Sequence, residues 1–488
     1  MRATFRVKTL AIGLAAAAAS SATPVLATAQ ELSSVQGPHD GAPLGGSSIV
    51  QSGEEFFAPV DNLGDYAPGE VISTRTIPYH FVGLPIPVQV VQIKYRSTDH
   101  DDKPTYNITS VVKPTGESNG RLVSMHSVYD SLDPAHSPSR AIAGNIALGL
   151  FNSWIETPTI VQMLAGGYTV AVTDIEGQDA NFFDGPTYGR LTLDGIRAAE
   201  RTPETGLSPD APVGLIGYSG GSIASVWAAQ LAPTYAPDIN ARLVGSAAGG
   251  VPTNVLNLVN YIDGAPFWGP LTVMILIGLS RSYDFSLEPY LSDYGKHMVD
   301  DLSRATITEV SASFAGVDWA SLFKPEYRDP RSIPEFVDAV NRNNPILAAD
   351  PATPFFIGQA NNGEITGTPT GPEGIGTGDG ITVTGDTRAL AHKYCEAGNP
   401  VIYHEYAIME HTAGFLTFSA GAWPWLQDRF DGKPAGTNCG DFPAGNPAEP
   451  ATTVPPAKGG TQEYPKDLAG LREFLKGRGS SGSSMSSR

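Results

Sequence analysis

Short apolar runs separated by turn-forming residues dominate the chain from Val71 onward. Residues 88–95 are rich in Val and Ile and end in the polar turn 98–102, and residues 108–112 and 122–126 are two more strand-like runs. Residues 168–172 read as a buried strand, and 191–199 as a helix that stops before Pro203. Four later runs, 213–217, 242–246, 354–358 and 400–406, are again strand-like. After the first of them, Ile223, Val226, Trp227 and Leu231 recur at helical spacing, in a helix expected to end at Pro233. Strands alternating with helices predict an α/β fold, a mostly parallel sheet flanked by helices. Residues 252–345 show no clear strand and read as a helical insertion, a lid or cap, rich in Leu, Val, Tyr and Phe. The core is therefore expected in two parts, 30–251 and 346–440, opening with a lead-in segment over 30–59. A Pro-rich and Ser/Gly-rich tail, 441–488, follows, with a short helix at 466–476 and a disordered end.

Composition sharpens this picture in three places. Hydrophobic residues make up 41% and charged residues 17% of 488 positions, which supports a large core and excludes global disorder. Arg2, Arg6 and Lys8 precede an apolar stretch at 10–19 and a small-x-small site at Ala27-Thr28-Ala29. That is the pattern of an export signal over 1–29, and the apolar run is too short to span a bilayer. A secreted protein cleaved near Ala29 is expected. The net charge of −19 becomes more negative once those three cations leave, so a nucleic-acid partner is not expected. In an oxidising compartment Cys395 and Cys439 read as a disulfide, two buried free thiols being the alternative.

Candidate chemistry centres on Gly-x-Ser-x-Gly, which occurs twice. Residues 116–120 lie in a polar turn between two strands. Residues 217–221 follow the apolar strand 213–216 and lead into the helix containing Ile223, the context a nucleophile elbow requires. Ser219 is thus the candidate nucleophile, with the Gly220 amide at a helix N-terminus where an oxyanion would form. A Gly-rich turn with a capping serine is the bland alternative.

In this fold an acid and then a histidine follow the nucleophile along the chain. His297 falls in the insertion, His392 inside a helix and His404 inside the last strand, leaving His411 just beyond that strand. Glu364 and Asp379 both follow the 354–358 strand. Asp379 is preferred because the apolar run 381–383 and a helix anchor the far end of its loop. That Gly/Asp loop lacks the dense oxygen ligands of a calcium site. A second oxyanion donor is expected in residues 127–133, where composition does not choose one. The apolar stretch 271–279, with Phe267 and Trp268 ahead of it and Met274 and Ile277 within it, lines an acyl tunnel or lid, or is simply the insertion's own core.

Taken in order, these segments resemble the secretory lipases of the α/β-hydrolases, typified by Candida lipase A. The resemblance is carried by GYSGGSIASVWAAQLAPTYAP with SAAGGVPTNV after it, TDIEGQDANFFDGPTYG, DGITVTGDTRALAHKYC, EYAIMEHTAGF and DRFDGKPAGTNCG. It implies an acyl-ester hydrolase, usually a triacylglycerol lipase, with the acid at Asp379, the histidine at His411 and the disulfide at Cys395 and Cys439. The family's oxyanion aspartate falls on Asp130 in SVYDSLDPAHSPSR. Residues 136–139 lack the further cysteine often found there, and 361–378 is longer than the family's compact acid loop. The resemblance implies a lipid or ester substrate, transient contact with a lipid interface, no cofactor or metal and no obligate protein partner. Two alternatives remain: a cell-envelope acyltransferase or esterase with the same triad, and a catalytically inactive hydrolase-like binding protein.

Overall fold

β-branched runs too short for helices pair into one nine-stranded sheet in the computed structural model, which describes residues 54–457. The strands are β1 Val71–Phe81, β2 Leu84–Thr98, β3 Pro104–Val112, β4 Leu122–His126, β5 Thr169–Thr173, β6 Val213–Tyr218, β7 Leu243–Gly249, β8 Phe355–Ala360 and β9 Val401–Tyr406. Their order across the sheet is β1-β2-β3-β5-β4-β6-β7-β8-β9. The first three joins are antiparallel and the other five parallel. β4, β5, β6 and β8 are buried along their whole length, as strands covered on both faces must be. The helices Gly185–Arg201 and Gly220–Tyr235 pack on one face with Val226, Ala229 and Leu193. The helix His411–Phe430 covers the other with Phe418, Trp423 and Leu426.

Several elements differ from the sequence reading for local reasons. β1, for which the sequence reading named no strand, contains Pro78, which an edge strand tolerates because its outer side needs no ladder donor. The helix expected at 191 begins at Gly185, since Pro186 sits in its first turn and the Asp184 side chain accepts the Thr187 N–H. The helix expected to stop at Pro233 runs on to Tyr235, because a proline in the last turn forfeits one bond without blocking the residues after it. Residues 1–29, with the expected signal, and the expected helix at 466–476 lie outside the described residues.

Among the described residues, no strand lies between β7 and β8. The chain there forms the helices Val255–Tyr261, Leu271–Ser282, Asp293–Asp301, Ile307–Ser313 and Pro334–Arg342. They pack on Tyr129, Leu132, Phe182, Ile223 and Trp227 of the core, in the largest apolar cluster. The Pro-rich segment read as a linker is instead stitched to the body as far as Ala457. Asn446 donates to Gly385 O at 2.9 Å and to Asp386 Oδ1 at 2.8 Å. Ala451 and the Asn341 side chain exchange two hydrogen bonds of 2.8 and 2.9 Å. Val454 N donates to Arg331 O. Composition misread this strap because its bonds are made by a few main-chain groups and two asparagines. No described helix is long and apolar enough to cross a membrane.

Cys395, in the last turn of the helix Thr384–Glu396, is bonded to Cys439, with Cα atoms 5.8 Å apart and a separation of 44 positions in sequence. The bridge closes a loop containing β9, His411 and its helix, and anchors the start of the strap. Replacing both cysteines by serine should cost about 3–4 kcal/mol on the chain-entropy model. Thermal unfolding of the double variant checks this; an unchanged Tm would show that the strap alone holds the loop.

Candidate active site

β6 ends at Tyr218 and the next helix starts at Gly220, so Ser219 alone makes the turn, at φ 51° and ψ −127°. Two glycines permit it. A Cβ on Gly217 would overlap the Gly221 carbonyl, and one on Gly221 would overlap the His126 carbonyl. The Ser219 N–H donates to Gly249 O at 2.9 Å, tying the elbow to the end of β7.

His411, expected in a loop, is the first residue of the final helix. A glutamate rather than one of the usual small polar caps starts that helix: Glu410 accepts the N–H groups of Thr412 and Ala413 at 2.8 and 2.7 Å. The main chain of His411 is fixed on both sides. Its N–H donates to Asp379 O at 2.8 Å, and its carbonyl accepts the Tyr218 hydroxyl at 2.6 Å. The imidazole Nε2 then lies 2.7 Å from Ser219 Oγ and Nδ1 lies 2.7 Å from Asp379 Oδ2.

Asp379 sits on the loop between β8 and the helix Thr384–Glu396. Its Oδ1 accepts the amides of Ile381 and Thr382 at 3.0 and 2.7 Å. Its Oδ2 accepts the Thr382 hydroxyl at 2.8 Å and Gln359 Nε2 at 3.1 Å. Thr387 donates to Gln359 Oε1 at 2.9 Å. Sequence reasoning missed Gln359, although a polar residue in the otherwise apolar 355–360 strand was a readable sign. Glu364 lies in the exposed turn Gly363–Thr366 and has no contact with the imidazole.

Burial would lower the His411 pKa, but the Asp379 charge and hydrogen bond, with Glu410 and Asp130 behind them, outweigh it and leave it raised. Burial likewise pushes Asp379 up, and the imidazolium with the two amides overcomes it and holds the carboxyl below its usual range. Asp130 is pushed up by burial to about 7, His411 opposing the shift. Its carboxylate lies against Gly220, where a Cβ would overlap Oδ1. The Gly220 amide is among the first four of its helix, which the helix itself leaves without acceptors.

The site is covered. Ser219 is 8% and His411 5% exposed. Trp268 lies edge-on to the imidazole, ring centres 6.0 Å apart, and its indole N–H donates to Thr366 at 3.2 Å. Phe267 packs on Trp268 and turns 41% of its surface outward. Met274 and Ile277 lie deeper, fully buried in the cluster that also holds Trp268 and Tyr129.

A serine on a tight strand-to-helix turn above a mostly parallel sheet defines this chain as an α/β-hydrolase. It belongs to the secretory lipase family, whose model matches residues 147–438. A protein of Mycobacterium tuberculosis described as a probable inactive lipase is 30% identical over 405 residues, covering 81% of this chain and 86% of its own. Lipase A of Arthroderma benhamiae is 31% identical over 401 residues, covering 79% and 80%. Candida antarctica lipase A in its closed state shares the fold, with a TM-score of 0.69 over 82% of this chain and 90% of that one at 24% identity.

These electrostatics fix a pH dependence. If His411 takes a proton from Ser219 it must first be neutral, and its pKa is raised above 6.5. Labelling of Ser219 by an organophosphonate should therefore be slow in acid and rise to a plateau above that raised pKa. In Asp379→Asn the midpoint should move down and the plateau fall. A labelling rate that is flat from about pH 5 to 9, a span bracketing the ordinary histidine pKa, contradicts the assignment.

Proposed function

We propose that the protein is a secreted carboxylic ester hydrolase acting on lipid esters, most specifically a triacylglycerol lipase. The observation that carries this reading is the unbroken chain from Ser219 Oγ through both ring nitrogens of His411 to Asp379 Oδ2, each link 2.7 Å. His411 Nε2 takes the Ser219 proton as Oγ attacks the ester carbonyl, and Asp379 stabilises the imidazolium. The tetrahedral oxyanion is held by Gly220 and Asp130. Its collapse expels the alcohol, which takes the proton from His411, and leaves an acyl-enzyme. Water, deprotonated in turn by His411, attacks that ester and releases the fatty acid. The chemistry needs no metal or cofactor.

In this reading 252–345 is the lid or cap and Phe267–Trp268 its edge above the nucleophile, with Met274 and Ile277 behind the acyl chain. The description of the family as secretory lipases and the expected signal at 1–29 support export. An acyltransferase would use the same acyl-enzyme with an alcohol in place of water. The relative described as a probable inactive lipase favours a different second reading, a hydrolase-like binding protein.

Ser219→Ala should abolish ester hydrolysis and organophosphonate labelling while leaving the fold intact. Labelling at any other serine, or an unlabelled and inactive wild type, decides against the proposal. The acid is tested separately. Asp379→Asn should lower kcat by roughly 10⁴, since the imidazole takes the wrong tautomer. Glu364→Gln should match the wild type. The reverse ranking would move the acid to Glu364.

A further inference from the structure

Just beyond β4 the chain passes through residues 127–131, where two buried glutamates grip its main chain. Glu156 Oε1 accepts the Val128 N–H at 3.0 Å. Both oxygens of Glu176 accept the Ser131 N–H, each at 3.1 Å. Glu176 is itself fixed, its N–H donating to the Tyr129 hydroxyl at 2.8 Å. Glu156 is 3% and Glu176 1% exposed. Burying two carboxyl groups beside a third, Asp130, is costly, and an apolar residue would fill the volume at lower cost.

What lies between the two grips explains the expense. Asp130 adopts φ 40°, a left-handed conformation that costs a non-glycine residue about 1–3 kcal/mol and persists only when neighbours over-determine it. The Asp130 carbonyl accepts the Ile307 N–H at 3.0 Å. Its N–H meets no protein acceptor among the described residues. Its carboxylate abuts Gly220, so this peptide stands beside the residue that follows Ser219. Glu156 and Glu176 take the Val128 and Ser131 amides, which leaves the amides of Tyr129 and Asp130 without a protein acceptor among the described residues, and of these two Asp130 is the residue whose side chain touches Gly220.

We infer that Glu176 is a positioning residue for the oxyanion: by holding the Ser131 amide it fixes the strained Asp130 peptide against Gly220 and keeps the Asp130 N–H free for the tetrahedral intermediate. This rests on the reading of Ser219 as the nucleophile. Glu176 touches no substrate and acts only through Asp130. The role asks for an acceptor oxygen, not for a charge.

Full-length wild type, Glu176→Ala and Glu176→Gln are compared on a soluble p-nitrophenyl ester, with Tm and the affinity for a trifluoromethyl ketone, whose serine adduct carries the same oxyanion. In Glu176→Ala, kcat should fall about a hundredfold, as on loss of an oxyanion donor, with KM nearly unchanged and ketone affinity weakened in proportion. Glu176→Gln, whose amide oxygen still accepts the Ser131 N–H, should recover most of both. If the alanine variant does not fold, Tyr129→Phe, which removes the hydroxyl bracing Glu176, should show a smaller loss of the same kind. A drop in Tm with kcat and ketone affinity unchanged in the folded variants overturns the inference, as does a glutamine variant no better than alanine. A wild type that neither hydrolyses the ester nor binds the ketone overturns the reading of Ser219 and this inference with it.

Discussion

The close crossing of β6 and the helix after it is the constraint on which the rest of the site depends. Gly217 and Gly221 let the two elements approach until any side chain at either position would strike main chain. The residue between them then has one conformation open to it, and Ser219 accepts a positive φ that costs about 1–3 kcal/mol. That cost is met by the apolar packing of a fully buried strand and a nearly fully buried helix. In return the hydroxyl is projected from a rigid scaffold rather than a mobile loop, and every partner is located relative to it. The His411 main chain is tied to Tyr218, the residue before the serine, and the Asp130 loop rests on the residue after it.

Charge is arranged around that point with uneven solvation. Asp379 is surrounded by donors and stays ionised, whereas Asp130, Glu156 and Glu176 lie where burial pushes their protons on. Four carboxyl groups of similar chemistry are thus divided between a charged form behind the imidazole and raised pKa values on the Gly220 side. The division follows donor count: two amides, a hydroxyl, a carboxamide and the imidazole serve Asp379.

Much of this was legible in the chain itself. Period and length placed eight of the nine strands, and strand–glycine–serine–glycine–helix located Ser219, because backbone sterics leave few other uses for that pattern. Distance from the final strand singled out His411, and the anchored loop favoured Asp379 over Glu364. What escaped was what depends on tertiary partners. Pro78 hid an edge strand, Glu410 hid the helix that carries His411, and the strap after Cys439 looked like any proline-rich linker. Gln359, Glu156 and Glu176 act by where their single polar groups end, and linear sequence carries almost no record of that.

The contact between Gly220 and the Asp130 carboxylate has a consequence for lineage. One methyl group at position 220 must displace that carboxylate, yet the sheet, the disulfide and the strap make no use of the space it would occupy. A descendant could therefore lose this arrangement by one codon change and go on folding and being recognised as kin. Shape is inherited here more durably than reactivity, and kinship vouches for the first before the second.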